Sequence, residues 1–196
     1  DGGIAQYRRS SDDFAIPLDD RGHPILAYSA CLTEQGVIFG GRNRIYRYDY
    51  DSRSIKLLLD FSSDPYFAIS AISRWDEETL LCCSRWQGLR LINLRSGERR
   101  LPPFDCGKEI MALLIDSHNR IWLAPYNEGL RCFNPEGRLL ASYTTDNSML
   151  SNNVVLSMAE RDSHIWVGTD GGGINIIHPD SHRITVLEHI PGDNYS

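Results

Sequence analysis

Three short groups of residues in this 196-residue sequence have types and spacings that can do chemistry. His178 and His182 are four residues apart, as two metal ligands on a helix would be, but a Pro-Asp-Ser turn separates them. The acidic run 76–78 offers calcium ligands, but its sequence is typical of an exposed turn. The glycine run 171–173 would hold a phosphate only at the start of a helix, and it lies between two strand-like runs. We therefore expect no catalytic residue, no metal and no cofactor.

A second set of residues has the chemistry of ligand binding. Its two arginines can each hold a carboxylate or a sulfate through a pair of hydrogen bonds. Its two aromatic residues can stack on the face of a sugar ring, and its two acidic residues lie at related positions. The predicted ligand-binding residues are Arg42, Arg85, Trp86, Tyr126, Glu128 and Asp170.

An internal repeat places these residues in the chain. Four segments each contain a short apolar run, a polar or glycine turn and a second alternating run. The equivalent residues Ile38, Leu81, Trp122 and Trp166 follow one another at separations of 43, 41 and 44 residues. Repeats of this length with four short strands are typical of the blades of a β-propeller.

Each repeat contains four candidate strands, A to D. The clearest repeats predict strands at 110–115, 121–124, 130–133 and 139–143, and at 154–159, 165–168, 174–177 and 184–187. No segment keeps a 3.6-residue period, so no helix is predicted. The predicted fold is all-β, an arc of four-stranded antiparallel blades within a larger propeller, in which Trp122 and Trp166 pack between blades.

The repeat divides residues 1–196 into parts of a single propeller segment. Residues 1–17 predict half a blade, with strand C at 3–7 and strand D at about 13–16, and residues 191–196 predict a linker to the next blade. Because the half blade has no A and B strands of its own, we expect the chain to be part of a longer one. The predicted whole blades are 26–61, 67–104, 109–143 and 152–190.

Composition excludes several classes of partner for this segment. The formal net charge is −6 and the basic residues are scattered, which argues against contact with nucleic acid. No apolar run approaches the roughly 20 residues of a membrane helix, so we expect no membrane contact. No Cys-x-x-Cys pair occurs, which disfavours zinc and favours buried free thiols, with one disulfide as the alternative. The five cysteines are Cys31, Cys82, Cys83, Cys106 and Cys132.

Residues 146–178 resemble the two-component regulator propeller repeat. They contain Leu150-Ser-Asn-Asn153 before strand A, then Ile165-Trp-Val-Gly-Thr169 and a glycine-rich turn into strand C. The resemblance implies the periplasmic sensor region of a hybrid two-component system histidine kinase, a dimeric inner-membrane protein with seven-bladed propellers. Such proteins detect oligosaccharides and regulate transcription, and the kinase lies in domains that this sequence does not contain.

Two functions are weighed on this basis. The first is a non-catalytic propeller that binds an oligosaccharide and packs with the remaining blades and domains of its own chain, in a homodimer. The alternative is a propeller enzyme, such as a polysaccharide or antibiotic lyase, which needs a histidine or tyrosine base over the propeller axis. The histidines favour the first function, because His118, His164, His178 and His182 fall at A–B or C–D turns. Strands alternate in direction, so the D–A linkers and B–C turns, which carry the predicted ligand-binding residues, lie at the other edge.

Overall fold

The structure, a computed structural model, describes residues 4–19, 22–84, 87–105, 107 and 109–187. These residues form eighteen strands and no helix. No described segment is therefore a helix long and apolar enough to cross a membrane. The chain divides into two compact units, Asp1–Leu101 and Pro102–Ser196.

The first unit contains a hairpin and two four-stranded blades. The hairpin pairs β1 with β2 in antiparallel register, and each blade pairs its four strands in the order of the sequence. The strands are β1 (Gln6–Arg8), β2 (Asp13–Ala15), β3 (Ser29–Thr33), β4 (Gly36–Gly40), β5 (Arg44–Asp49), β6 (Ile55–Asp60), β7 (Ile69–Arg74), β8 (Thr79–Ser84), β9 (Gly88–Asn93) and β10 (Arg99–Arg100).

The second unit contains two further blades of the same topology. Its strands lie within two residues of the predicted ones at every end. They are β11 (Ile110–Ile115), β12 (Ile121–Pro125), β13 (Leu130–Phe133), β14 (Leu139–Tyr143), β15 (Val155–Arg161), β16 (His164–Thr169), β17 (Ile174–His178) and β18 (Arg183–Leu187). The predicted all-β fold of four-stranded antiparallel blades is confirmed.

The leading hairpin occupies the predicted half blade. Gln6 pairs with Ala15 and Arg8 pairs with Asp13, so strand C begins at Gln6, later than the predicted start at residue 3. Residues 1–3, the last residues of the final predicted blade and the predicted linker 191–196 lie outside the described residues. The predicted domain boundaries stay predictions.

A bulge recurs at the start of strand A in three of the four blades. The register between strands A and B shifts between Ile69 and Ala71, between Ile110 and Ala112, and between Val155 and Ser157. An extra residue in one strand of a pair bends that strand and increases its twist. In these three blades the repeat therefore extends to the irregular part of strand A, at the edge where the D–A linker enters.

Apolar side chains between neighbouring sheets form the core of each unit. In the first unit, Ile38 and Ile45 of one blade pack with Phe67, Ile69 and Leu80 of the next. In the second unit, Trp122 and Tyr143 of one blade pack with Val155, Ile165 and Val167 of the next. Full burial of a side chain of this size contributes about 1.5–3 kcal/mol, so these shared faces hold neighbouring blades together.

The two equivalent tryptophans differ in burial. The predicted packing between blades is observed for Trp122 and stays a prediction for Trp166. Trp122 is fully buried and stacks on Tyr143, with ring centroids 6.1 Å apart. Trp166 is only half-buried. It alternates along β16 with Ile165 and Val167, which face the core shared with the preceding blade, so Trp166 faces away from that core.

A buried carboxylate organises the turn between β11 and β12. Asp116 is 4% exposed, and its two oxygens accept hydrogen bonds from four N–H groups. The donors are the amides of His118 (3.0 Å) and Arg120 (2.8 Å), the Arg120 Nε (2.7 Å) and the Trp122 indole (2.9 Å). One side chain thus fixes the turn and also satisfies the polar atom of the largest core residue.

The described cysteines are free and at least half-buried, as predicted. Cys82 and Cys83 are neighbours on β8, and both are fully buried. Burial raises the pKa of the Cys31 thiol to about 11, against the opposing positive charge of Arg74, and raises the pKa of Cys132 to about 12. Cys106 lies outside the described residues.

Replacing Asp116 with alanine is expected to lower the free energy of unfolding by about 2–4 kcal/mol, because the Trp122 indole N–H would stay buried without an acceptor. Urea denaturation followed by circular dichroism measures this loss. Asp76→Ala is the matched control. Asp76 lies in the A–B turn of the preceding blade, is exposed and caps the Glu78 amide at 2.9 Å. An equal loss in both variants would contradict the special role of Asp116.

The raised thiol pKa values predict slow alkylation of the native protein. In a Cys106→Ser background, iodoacetamide at pH 8 should label the native chain far more slowly than the chain unfolded in urea, since only the thiolate reacts. Labelling at Cys31 should rise as the pH approaches 11. Mass spectrometry of labelled peptides measures both, and fast native labelling of Cys31 at pH 8 would contradict the burial described above.

Candidate functional site

The described ligand-binding candidates all lie in B–C turns, on two different units. Arg42 is exposed in the turn between β4 and β5 of the first unit. Tyr126 and Glu128 lie between β12 and β13, and Asp170 lies between β16 and β17, in the second unit. Arg85 and Trp86 lie outside the described residues. Their roles in binding remain predictions.

Backbone hydrogen bonds attach the B–C turns of the second unit to the D–A linkers. The amide of Gly129 donates to the carbonyl of Asn153 at 3.0 Å, and the amide of Asp170 donates to the carbonyl of Val154 at 2.9 Å. The side-chain amide of Asn152 donates to the carbonyl of Asp170 at 2.7 Å. Turns and linkers of this unit therefore share one edge, where both asparagines hold backbone in place.

The turn before β13 needs unusual backbone angles. Asn127 has φ 57° and Gly129 has φ +74°. A Cβ on Gly129 would lie 2.1 Å from the carbonyl oxygen of Tyr143, so only glycine fits there. This turn places the Tyr126 ring at the surface, where the residue is 54% exposed.

The two acidic candidates, Glu128 and Asp170, differ in the bonds that their side chains form. Glu128 accepts a hydrogen bond from the Arg131 guanidinium, with 2.6 Å between Oε2 and Nη2. That ion pair satisfies one oxygen of Glu128 and neutralises its charge. Asp170 is exposed, and the bonds that fix it run through its backbone.

A polar cluster missed by the sequence analysis lies at the corresponding edge of the first unit. Asp64, in the linker between β6 and β7, accepts hydrogen bonds from Arg99 at 2.8 Å and from Gln87 at 3.1 Å. The Arg99 and Gln87 bonds hold the pKa of the Asp64 carboxyl below its usual value. The neighbouring Tyr66 is 68% exposed. Asp64-Pro-Tyr66 has the composition of an ordinary turn, so the sequence contained no signal for this cluster.

A cavity of about 470 Å³ lies at the opposite edge of the first unit, where the sequence predicted only plain turns. It opens between the sheet β3–β6 and the sheet β7–β10. The acidic run 76–78, interpreted from the sequence as an exposed turn, forms part of its rim and is indeed exposed. The lining residues are Thr33, Glu34, Gln35, Ile38, Arg47, Leu58, Arg74, Asp76, Glu77, Glu78, Leu80, Leu94 and Arg95.

The histidines that are close in sequence, His178 and His182, contact different partners in the structure. His178 contacts His164, with ring centroids 4.3 Å apart, and His182 shares a hydrogen bond of 2.8 Å with the Tyr143 hydroxyl. Burial raises the pKa of Tyr143 to about 12. Within the described parts of the chain, no three potential metal-ligating side chains of His, Cys, Asp or Glu come together.

Comparison with known proteins identifies the class of protein that these sheets form. Residues 149–171 match the two component regulator propeller family, which confirms the resemblance seen in this repeat. The comparison with curated proteins gave no match.

Solved structures share the fold. The extracellular domain of the hybrid two component system BT4673 from B. thetaiotaomicron has a TM-score of 0.67 at 18% identity, over 87% of this chain and 22% of that chain. The corresponding domain of BT3049 from the same organism has a TM-score of 0.59 at 21% identity, over 82% of this chain and 22% of that chain. The WD40 beta propeller domain of Doa1 has a TM-score of 0.58 at 17% identity, over 76% of this chain and 50% of that chain. This chain thus has a β-propeller fold and spans less than a quarter of the length of the two B. thetaiotaomicron domains.

The contact between His178 and His164 predicts a low titration midpoint. Desolvation lowers the pKa of His178, and the neighbouring charges of His164 and Arg183 lower it further. The folded state then binds this proton less tightly than the unfolded chain, so its contribution to stability is present above about pH 6.5 and is lost as the pH falls through the folded pKa. NMR titration should place the His178 midpoint below that of an exposed histidine.

His164→Gln should raise the His178 midpoint part of the way, because desolvation remains. His23→Gln, in the first unit, is the control and should leave it unchanged. A His178 midpoint at or above 6.5 in the native protein would contradict the packing of these two rings.

Proposed function

We propose that this chain is a ligand-sensing propeller in the extracytoplasmic part of a hybrid two-component sensor. The observation that carries the proposal is the family match at residues 149–171, which lies inside a propeller blade. The intact protein would be an inner-membrane histidine kinase that works as a homodimer, with this segment in the periplasm, and it would control transcription. The fold shared with extracellular domains of hybrid two component systems supports this setting.

Residues in and beside the matched repeat form core contacts and buried hydrogen bonds in this chain. Leu150 is buried in the core, and Ser151 and Thr169 share a hydrogen bond of 3.0 Å. The fully buried Asn175 donates from its side-chain amide to the Ser151 hydroxyl at 2.7 Å and accepts from the Ser151 amide at 3.0 Å. These residues tie the D–A linker to strand C, so this polar network has a structural role and the ligand would contact exposed residues instead.

An oligosaccharide suits the exposed edge that the B–C turns and D–A linkers form within each unit. Sugars bind through stacking on aromatic rings and through hydrogen bonds to charged and amide groups. Tyr126 and Tyr66 expose their rings at these edges, and Arg42 is exposed without an ion pair to any described residue. The proposed site residues are those predicted from the sequence, with Tyr66 added by the structure.

Among the described residues, no histidine contact supports the alternative function, a propeller lyase. The histidines at the described A–B and C–D turns contact one another, tyrosine or serine, and none of them joins the B–C turns that carry the binding candidates. A direct assay with polysaccharide substrates separates the two functions, since a lyase creates an unsaturated product that absorbs ultraviolet light.

A stabilising oligosaccharide is the expected outcome of a thermal-shift screen. A ligand at 100 times its Kd adds about 2.7 kcal/mol to the stability of the native state. For a chain of this length each kcal/mol raises Tm by about 2–4 °C. The screen uses neutral, acidic and sulfated oligosaccharides, and failure of every one to raise Tm would count against the proposed function.

Variants of the proposed edge should weaken binding of whichever oligosaccharide the screen identifies. Arg85→Ala, Trp86→Ala and Tyr126→Ala should each cost about 1–3 kcal/mol if the side chain is a buried anchor in the complex. Isothermal titration calorimetry measures the change. Tyr50→Ala is the matched control, because Tyr50 is similarly exposed but follows β5 at the C–D turn. Unchanged affinity in all three variants would remove this edge from consideration.

A further inference from the structure

The cavity of the first unit lies on top of the core shared by its two blades. Ile38 and Leu80 line the cavity and belong to that core, and Leu58 and Leu94 pack against it from the same two blades. The floor is therefore apolar and is supported by both sheets. A volume of about 470 Å³ lies within the range of small-molecule sites in proteins.

Arg47 lines this cavity, and its side chain carries an unsatisfied donor. Its Nε is buried and has no hydrogen-bond partner among the described residues. No other buried side-chain nitrogen or oxygen of the described residues lacks a partner. Arg47 pairs with Ile38 across β4 and β5, so both side chains point to the face that borders the cavity. An unpaired N–H of a charged group is costly to bury, so a bound acceptor that reaches this guanidinium would recover part of that cost.

A second arginine approaches from the facing sheet. Arg74 lies at the end of β7, and its Nε donates to the backbone carbonyl of Asp76 at 3.3 Å. Neither Arg47 nor Arg74 forms an ion pair with a described residue, whereas Arg95 at the rim is paired with Glu78. Two guanidinium groups that form no ion pair with a described residue thus line one cavity, and the charge of Arg47 also acts on the Asp49 carboxylate.

Charge is sorted by depth in this cavity. Arg47 and Arg74 are half-buried, while Glu34 and the acidic run 76–78 are exposed at the rim. Water and salt screen exposed carboxylates strongly, with a Debye length of about 8 Å at physiological ionic strength. The inner wall therefore favours an anionic group, and the acidic rim repels a long polyanion but can accept hydrogen bonds from hydroxyl groups.

We propose that this cavity binds a small polar molecule through a single carboxylate or sulfate group, which Arg47 and Arg74 hold. The hydroxyl groups of the same molecule would face the acidic rim. Taken with the proposed function, on which this last step rests, the ligand is a sugar unit with one acidic group, bound at the edge opposite the B–C turns.

Arginine side-chain NMR tests the proposal on the unaltered chain. The Nε–H signal of Arg47 is assigned by its loss in Arg47→Lys, or from backbone-linked spectra if that variant does not fold. Glucuronate and glucose 6-sulfate are titrated at constant ionic strength, with glucose as the neutral probe. The Arg47 Nε–H signal should move with either acidic sugar and stay in place with glucose.

Binding measurements on variants give the second readout. Arg47→Met keeps the aliphatic stem and removes the charge, and it should weaken glucuronate binding at least tenfold. Arg100→Met is the matched control, because Arg100 is an exposed strand residue of the same unit that does not line the cavity. It removes the same charge and should leave the affinity within twofold.

Three results would overturn the proposal. These are an Arg47 Nε–H signal that does not move at saturating acidic sugar, an equal response to glucose, and equal loss of affinity in both methionine variants. Oligosaccharide binding that depends on Trp86 or Tyr126 and not on Arg47 would reject this cavity while leaving the proposed function standing. Tight binding of glucuronate that is lost in Arg47→Met would support the cavity even if no oligosaccharide binds at the B–C turns.

Discussion

A four-stranded sheet of this chain has two faces that are rich in apolar residues, and it cannot bury either of them alone. Each compact unit meets that constraint by packing one sheet face against the next, as Trp122 and Tyr143 do with Ile165 and Val167. Burial of side chains of this size is the largest favourable term available to a fold without helices.

The packing leaves two different edges on each unit. One edge holds the B–C turns and D–A linkers, whose backbones bond to each other, as Gly129 does to Asn153. The other edge holds the A–B and C–D turns, and one carboxylate there, Asp116, fixes a turn and the core tryptophan together. In the first unit this second edge also contains the cavity with the unsatisfied Arg47. Ligand recognition can therefore use either edge without disturbing the core.

Part of the family motif has a structural role inside the blade. Ser151, Thr169 and Asn175 belong to the segment in and beside the matched repeat, and they bond to one another inside the blade. Together they hold the D–A linker against strand C, and a buried polar network of this kind is costly to break. Tyr126, whose ring is exposed, lies outside residues 149–171, and an architecture by itself does not specify a ligand.

The sequence by itself determined the blades and most of their strands. Alternating apolar residues, turn formers and a period of 41 to 44 residues are local signals, and local signals specify strands well. The sequence also predicted that Tyr126 and Asp170 lie in turns, because a short segment between two antiparallel strands must form the turn that connects them. Tertiary structure alone decided which residues meet. It paired His178 with His164 instead of His182, left Trp166 half-exposed where Trp122 is buried, and joined Arg47 and Arg74 around one cavity. The physical reason is that these contacts join residues from different strands or blades, and their partners depend on how the sheets pack.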